Sequence, residues 1–337
     1  MTQLAEHLRV LLEGRDLTFE QAGELLDAVF TGEVPGAQIA AFLTAMHVKG
    51  AVACELAGLA SSLRRHAVRV DVGGDRVIDT CGTGGARLKT FNISTAAALV
   101  AAGAGARVAK HGNRGITSPC GSADVLAALG VNVDNGPDCV AECIRTAGIG
   151  FMFAPKFHPA MRYVQPVRRE LPFRTVFNVL GPLANPALAP AQVMGVPDES
   201  LMRPIAETLR YLGVRRAMVV HSDGLDEIST VGPTKILHLA AGGITEDVLD
   251  PAKYNMHAEY EHLRGGDAAT NAAIIRAVLD GTEVGPRRDI VVLNAAAAIV
   301  VAGLAVDFDA AVPLAKKAIT DRSACAALQK LIEISNN

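Results

Sequence analysis

Residues Val77 to Ser122 read VIDTCGTGGARLKTFNISTAAALVAAGAGARVAKHGNRGITSPCGS, and this stretch decides the fold. Short apolar runs at Val77-Ile78 and Val108-Ala109 bracket an Ala-rich segment over 94–102, a strand–helix–strand pattern. Three small-residue turns sit within it. The first is Gly82-Thr83-Gly84-Gly85. The second is Asn92-Ile93-Ser94-Thr95, which opens the helix. The third is Lys110-His111-Gly112-Asn113-Arg114, running on to Ser118. Glycines let backbone N–H groups approach a ligand closely and accept positive φ. A helix start carrying Ser and Thr is a ready anion site. Lys110 and Arg114 add mobile positive charge. Together the three turns predict a site for a ligand with more than one phosphate group.

Working outward, the same alternation continues on the C-terminal side. Helices are expected over 121–129 and 137–147, with apolar runs at Val131 and from Ile149 to Phe153. The stretch 158–190 interrupts the pattern with several prolines and reads as helices and turns. Alternation resumes with a strand from Gln192 to Val196, a helix over 201–212 and a strand from Ala217 to His221. Lys235 to Leu239 and Gly243-Ile244-Thr245 read as antiparallel edge strands. Helices follow at about 268–281, 290–304, 308–319 and 321–334.

On the N-terminal side the pattern is all helical. Leu4, Leu8, Leu11 and Leu12 recur at helical spacing, and Thr18-Phe19-Glu20-Gln21 is a capping box. Pro35 suits the start of a third helix ending near Gly50, and a fourth covers about 53 to 66. Four short helices have little core of their own and must pack on something else. The expected fold is α/β: a small helical domain over 1–70, joined by part of 158–190, and a larger domain over 71–337 with a mostly parallel central sheet.

Bulk composition narrows the function. Half of the 337 residues are apolar, there is no Trp, and the net charge is −3, with a pI near 6.3. That balance gives no support for a nucleic-acid partner or an acidic membrane. The N-terminus carries charges throughout and does not read as a signal peptide. The run from Ile290 to Val306 is broken by Asn294 and Gly303 and reads as a buried helix, not a membrane span. A cytoplasmic protein is expected. The six cysteines form no CxxC pair. Cys139 and Cys143 share a helix face, but no neighbour completes a metal set, and reduced packing thiols are expected.

Outside the turns, Asp223-Gly224-Leu225-Asp226-Glu227 follows the strand ending at His221. Ligands bind beyond the carboxyl ends of strands in open α/β sheets. Adjacent Asp226 and Glu227 suit Mg²⁺, which uses one or two carboxylates plus substrate oxygens. His111 lies in a charged turn and is favoured as a ligand contact. His158 reads equally as a turn or capping residue. Arg168 and Arg169 suit recognition of a carboxylate by a bidentate fork, and sequence does not say which faces inward. No G-x-S-x-G and no Walker lysine motif occurs.

These residues bring the chain close to a known family. It resembles the anthranilate phosphoribosyltransferases over nearly its whole length. The resemblance is carried by GTGG…TFNIST, VAKHGNR…S…GSADVL, HPAMR, VRRELxxRTxFNxLGPLxNP and DGLDE, all in order. It implies a helical domain hinged to an α/β domain of the nucleoside phosphorylase and phosphoribosyltransferase kind, and a homodimer through the helical domain. It implies that 5-phosphoribosyl 1-diphosphate is held by Gly82, Gly85, Thr90, Asn92, Ile93, Ser94, Thr95, Lys110, His111, Gly112, Asn113, Arg114, Gly115, Ile116, Thr117, Ser118 and Ser122. Mg²⁺ would be held by Ser94, Asp226 and Glu227. Anthranilate would meet Gly82, Asn113 and Arg168, with His111 nearby. No residue is assigned as acid or base, His111 being the candidate for such a role. The reaction implied is transfer of the 5-phosphoribosyl group to the anthranilate amine with release of pyrophosphate.

The chain departs from the family pattern in its first turn. The family usually reads GTGGDG, whereas Ala86-Arg87 stands here, so a carboxylate and a glycine are lost while Arg87 and Lys89 bring positive charge. Pro172 stands where the family commonly has Gly. Two other readings remain at this point: a related glycosyl transfer to another aromatic or heterocyclic acceptor, and a non-catalytic nucleic-acid-binding paralogue, which the overall acidity and the intact acidic pair oppose.

Overall fold

The computed structural model describes residues 3–73, 76–86, 88–115 and 119–337. The chain opens with four helices: α1 (Gln3–Leu12), α2 (Phe19–Phe30), α3 (Gly36–Lys49) and α4 (Ala53–Arg65). The capping box forms as the sequence predicts. The Thr18 hydroxyl accepts from the Gln21 N–H, and the Gln21 side chain accepts from the Thr18 N–H. Pro35 takes the position just before α3.

From residue 77 the βα alternation appears: β1 (Val77–Gly82), α5 (Ile93–Gly103), β2 (Arg107–Gly112), α6 (Ser122–Ala128), α7 (Pro137–Ala147) and β3 (Ile149–Phe153). Val131 forms no strand; it is buried within an irregular stretch leading to α7. Three short helices follow, α8 (Ala154–Phe157), α9 (Gln165–Glu170) and α10 (Phe177–Leu183). Then come β4 (Ala191–Gly195), α11 (Met202–Tyr211), β5 (Arg216–His221), β6 (Thr234–Ala240) and β7 (Gly243–Leu249). Four helices close the chain: α12 (Ala268–Leu279), α13 (Pro286–Ala302), α14 (Phe308–Thr320) and α15 (Ser323–Ser335).

The strands form one seven-stranded sheet in the order β3-β2-β1-β4-β5-β6-β7. The first five in that order pair in parallel. β6 and β7 add antiparallel, as their short connection demands. The chain leaves β1 toward β2 and β3 on one side and returns as β4 on the other. The carboxyl ends of β1 and β4 therefore flank the topological switch point, where open α/β sheets bind ligands.

Alternate strand residues feed two cores. Ile78, Val108, Val193, Met218 and Val220 pack with α5, α13 and the C-terminal helices. Met194, Ala217 and Val219 face the other way and share a core with Leu25, Leu43 and Leu59 of the helical bundle. Val164, Phe177 and Leu180 join this second core, and α9 packs on α3. The bundle solves its shortage of core by covering one face of the sheet. No helix of the described residues is long and apolar enough to cross a membrane.

Candidate active site

At the switch point Gly82 ends β1 and Gly195 ends β4, paired in register. Asp226 arches over both. A Cβ on Gly82 would overlap the Asp226 carboxylate, and one on Gly195 would overlap its backbone carbonyl. Only glycines let the acidic loop sit this close to the strand ends. The Gly84 N–H donates to Asp226 Oδ2 at 3.1 Å. The Ser94 N–H, in the first turn of α5, donates to Glu227 Oε1 at 3.1 Å. The two acids thus join the first and second turns.

Both carboxylates are recessed but keep some exposed surface. Withdrawal from water raises the Asp226 pKa. It pushes Glu227 up to about 8, and the neighbouring Asp226 charge adds to that shift. The acidic loop is pinned from below by Asn294, a polar residue in the otherwise apolar interior of α13. Its side chain accepts from the Ile228 N–H at 2.9 Å and donates to the Ile228 carbonyl at 2.8 Å. The Ser222 hydroxyl donates to the Glu227 carbonyl at 3.0 Å.

The third turn is built differently from its sequence reading. Lys110, His111 and Gly112 do not lie in a turn; β2 runs through them. Pairing with Phe151, Met152 and Phe153 of β3 extends the strand. Lys110 is therefore not a mobile cation. Its side chain is 2% exposed, and Nζ donates to the Thr80 carbonyl at 2.6 Å. From there its charge favours the ionised forms of Asp79 and Glu227. The turn proper begins at Asn113. Arg114 is also engaged: Nη1 lies 2.9 Å from Asp124 Oδ1, while Asp124 Oδ2 accepts from the Gly115 and Gly121 N–H groups. Asp124 thus shapes this loop. Ser122 Oγ donates to the Asn113 carbonyl at 3.4 Å, and a Cβ on Gly112 would overlap that hydroxyl.

Within the second turn, Asn92 precedes α5 and its amide is taken by protein groups. It donates to the Cys120 carbonyl and accepts from Asn271 Nδ2 at 2.9 Å. Ile93 and Thr95 are buried. Thr90 forms a bridge to Arg264. Ile116, Thr117, Ser118 and Arg87 lie outside the described residues.

On the bundle side, His111 and His158 meet with ring centroids 5.0 Å apart. Both are more than nine-tenths buried. Nε2 of His111 and both ring nitrogens of His158 have no hydrogen-bond partner among the described residues. Burial lowers the His111 pKa to about 3 and that of His158 to about 4. Both rings are neutral at physiological pH. Arg168 is half-buried, with Cζ 5.3 Å from the centre of the Phe177 ring. Arg169 points to solvent. Of the two arginines, it is Arg168 that turns inward. No carboxylate pairs with it among the described residues.

The site therefore collects acids, glycine turns and a helix start at one end of the sheet. Known proteins share this fold and much of this sequence. Residues 5–67 match the glycosyl transferase family, helical bundle domain, and residues 74–325 match the glycosyl transferase family, a/b domain. The anthranilate phosphoribosyltransferase of Herpetosiphon aurantiacus is 50% identical over 99% of this chain and 99% of its own. The chain belongs to the anthranilate phosphoribosyltransferases. The crystal structure of the Thermus thermophilus family member superposes with a TM-score of 0.93 at 40% identity, covering 98% of this chain and 99% of that one. The Saccharomyces cerevisiae anthranilate phosphoribosyltransferase in complex with PRPP and Mg superposes with a TM-score of 0.91 at 26% identity, covering 99% and 98%.

For an anthranilate phosphoribosyltransferase, several supporting residues lie beyond those assigned a binding role, although Asp124, Arg174 and Asn185 stand within the quoted motifs. Asn294 pins the acidic loop, and an Asn inside an Ala-rich run was its only signal. Asp124 organises the Arg114 loop. Asn185 donates to the buried Asp79 at 2.8 Å and to the Ala109 carbonyl at 2.8 Å, holding β1 and β2 together beneath the site. Arg174 reaches the first turn from the α9–α10 connection, about ninety residues away in sequence.

Proposed function

We propose that this chain transfers the 5-phosphoribosyl group from 5-phosphoribosyl 1-diphosphate to the amine of anthranilate, releasing pyrophosphate, with Mg²⁺. The observation that carries the reading is the pair Asp226–Glu227 gripped by the Gly84 and Ser94 N–H groups, with unpaired Arg168 on the bundle side. The diphosphate donor lies over the ends of β1, β2 and β4, against Gly82, Gly85, Thr90, Asn92, Ser94 and the loop from Asn113 to Ser122. Backbone N–H groups do most of the holding, because Lys110 and Arg114 are committed to protein partners.

A divalent cation fits the residues present. Two adjacent carboxylates are withdrawn from water far enough that Glu227 is pushed to about 8, and a hard cation beside them would favour their ionised forms. Asp226, Glu227 and the Ser94 hydroxyl would hold it. When bound, Mg²⁺ supplies positive charge beside the diphosphate oxygens.

The chain's own residues position the acceptor. Arg168 receives the anthranilate carboxylate through its planar fork, and its stacking on Phe177 fixes the plane of that fork. The amine attacks as the neutral base, so no residue need deprotonate it first. His111, at about 3, is too weak a base to take the proton that the nitrogen loses after attack, which passes to the departing pyrophosphate or to water. Its unpartnered Nε2 instead orients the acceptor by hydrogen bonding. Positioning then supplies much of the rate.

Residues 1–70 with part of 158–190 form the small domain, and 71–337 the large one. Closure of the first on the second excludes water from the donor. The protein acts in the cytoplasm as a homodimer through the helical domain. Leu12 in α1 and Val48 in α3, 71% and 80% exposed, supply apolar surface for that contact. The decisive assay is pyrophosphate release from donor and Mg²⁺ with and without anthranilate. Release should require anthranilate. Undiminished release without it, or preference for another aromatic acceptor, would overturn the reading.

A further inference from the structure

The connection between α9 and α10 carries Phe173 and Arg174, and the two side chains engage different parts of the molecule. The Phe173 ring stacks on His47 of α3, with centroids 4.5 Å apart and planes 23° apart. Arg174 reaches the first glycine turn. Its Nη2 donates to the Gly84 carbonyl at 3.1 Å and lies 3.5 Å from the Thr83 carbonyl. Its Nη1 fills the space beside Gly85, where a Cβ would overlap it. Ala86 offers no side chain to hold the guanidinium, and among the described residues no carboxylate lies within ion-pair distance of Arg174.

The peptide geometry gives these contacts a consequence. There are no cis peptides among the described residues, so within each peptide of the turn the carbonyl and the following N–H point in opposite directions. The Thr83 carbonyl turns toward Arg174, and the N–H of the same peptide, on Gly84, turns toward Asp226. The next peptide repeats the pattern. Its carbonyl, on Gly84, is held by Arg174, so its N–H, on Gly85, is directed to the far side of the turn, where Asp226 lies. Gly84 and Gly85 have φ of +67° and +89°, values that favour glycine and let two successive N–H groups face one way.

We infer that Arg174 is a positioning residue for the diphosphate donor. By holding the Thr83 and Gly84 carbonyls it aims the Gly85 N–H at the donor, and through Phe173 it ties that turn to the helical bundle. The inference rests on the donor site proposed above.

The test is calorimetric titration of the donor with Mg²⁺, without anthranilate, alongside steady-state KM values for both substrates. Arg174→Ala should weaken donor binding about 10-fold or more, the range for losing a charged hydrogen bond. The anthranilate KM, read at saturating donor, should stay within about twofold. Arg174→Lys keeps the charge but not the two-pronged fork, and should recover only part of the loss. Phe173→Ala leaves the guanidinium in place and should raise the donor KM by a smaller factor, about 2–3-fold, on the same scale. Donor affinity within twofold of the unaltered protein in Arg174→Ala, an equal rise in both KM values, or full recovery by Lys would overturn the positioning role. If the unaltered protein takes up no donor, the donor site itself falls and this inference with it. If it does and Arg174→Ala binds equally well, the donor site stands and only this inference falls.

Discussion

Around the end of β1, polar groups are met by protein. Asp226 and Glu227 accept backbone N–H groups, Lys110 is spent on Thr80, Asp79 is held by Asn185, and Arg114 by Asp124. Toward the bundle the opposite holds. Among the described residues, His111 Nε2 and both nitrogens of His158 are buried without a hydrogen-bond partner, and Arg168 has no carboxylate. Leaving buried polar atoms unpaired costs about 1–3 kcal/mol each. The histidine pair leaves three such atoms, which a bound ligand would satisfy. The donor side is prearranged around fixed charges. On the proposed function, the acceptor side is completed by what binds there.

The strongest way to break this comparison is to remove the charge on the donor side while keeping its shape. Asp226→Asn with Glu227→Gln retains oxygen acceptors for Gly84 and Ser94. Turnover should fall at least ~1000-fold, since the charges proposed to hold the cation are lost. Measured without divalent cations, the melting temperature should stay level or rise, because withdrawal from water already disfavours both ionised carboxylates. Retained turnover would take the pair out of the reaction. A sharp drop in melting temperature would make them structural.

A smaller effect is expected from the acceptor side. Arg168→Ala should raise the anthranilate KM about 10–100-fold and leave the donor KM within about threefold, as befits the loss of one charged contact to one substrate. Arg168→Lys should recover little, because a point charge does not replace a fork stacked on Phe177. Equal effects on both substrates would mean that Arg168 supports the fold of the α9–α10 connection and does not meet the acceptor.

What the sequence made legible follows the same division. The βα alternation, the capping box at Thr18 and the acids after β5 are local signals, and apart from Val131, which forms no strand, each is found where the pattern puts it. The glycine turns are local as well. Lys110 misleads because a Lys-His-Gly-Asn-Arg run looks like a solvated loop. Three more residues of β2 pairing with β3 turn alternate side chains to opposite faces and bury the ammonium. Arg174 and Asn294 act on loops far from them in sequence, Gly84 and Ile228, so no spacing rule finds them. The shared core of the bundle and the sheet is equally non-local. The sequence shows only that four short helices need a partner surface, and Met194, Ala217 and Val219 become that surface through the tertiary fold.

The smallest effect concerns the histidine pair. His111 and His158 are held at about 3 and about 4, below the ordinary 6.5, by burial. Below pH 6.5 the unfolded chain takes up protons that the folded chain refuses. Each histidine therefore removes about 1.4 kcal/mol of stability per pH unit as pH falls. The loss stops near pH 4 for His158 and near pH 3 for His111, and above about pH 7 neither contributes. Asp79 and Glu227 act in the other direction. Raised to about 6 and about 8, they keep protons in the folded state that the unfolded chain releases, so their contribution shrinks as pH rises through the same window. The unaltered protein thus sums opposing slopes, and only a difference isolates the histidines. Relative to the unaltered protein, His111→Asn with His158→Asn should gain stability as pH falls from 6.5 to 4.5, leaving the opposing slope of Asp79 and Glu227 uncancelled. If the two curves stay parallel, the pair titrates freely, and the bundle side is already wet before any acceptor binds.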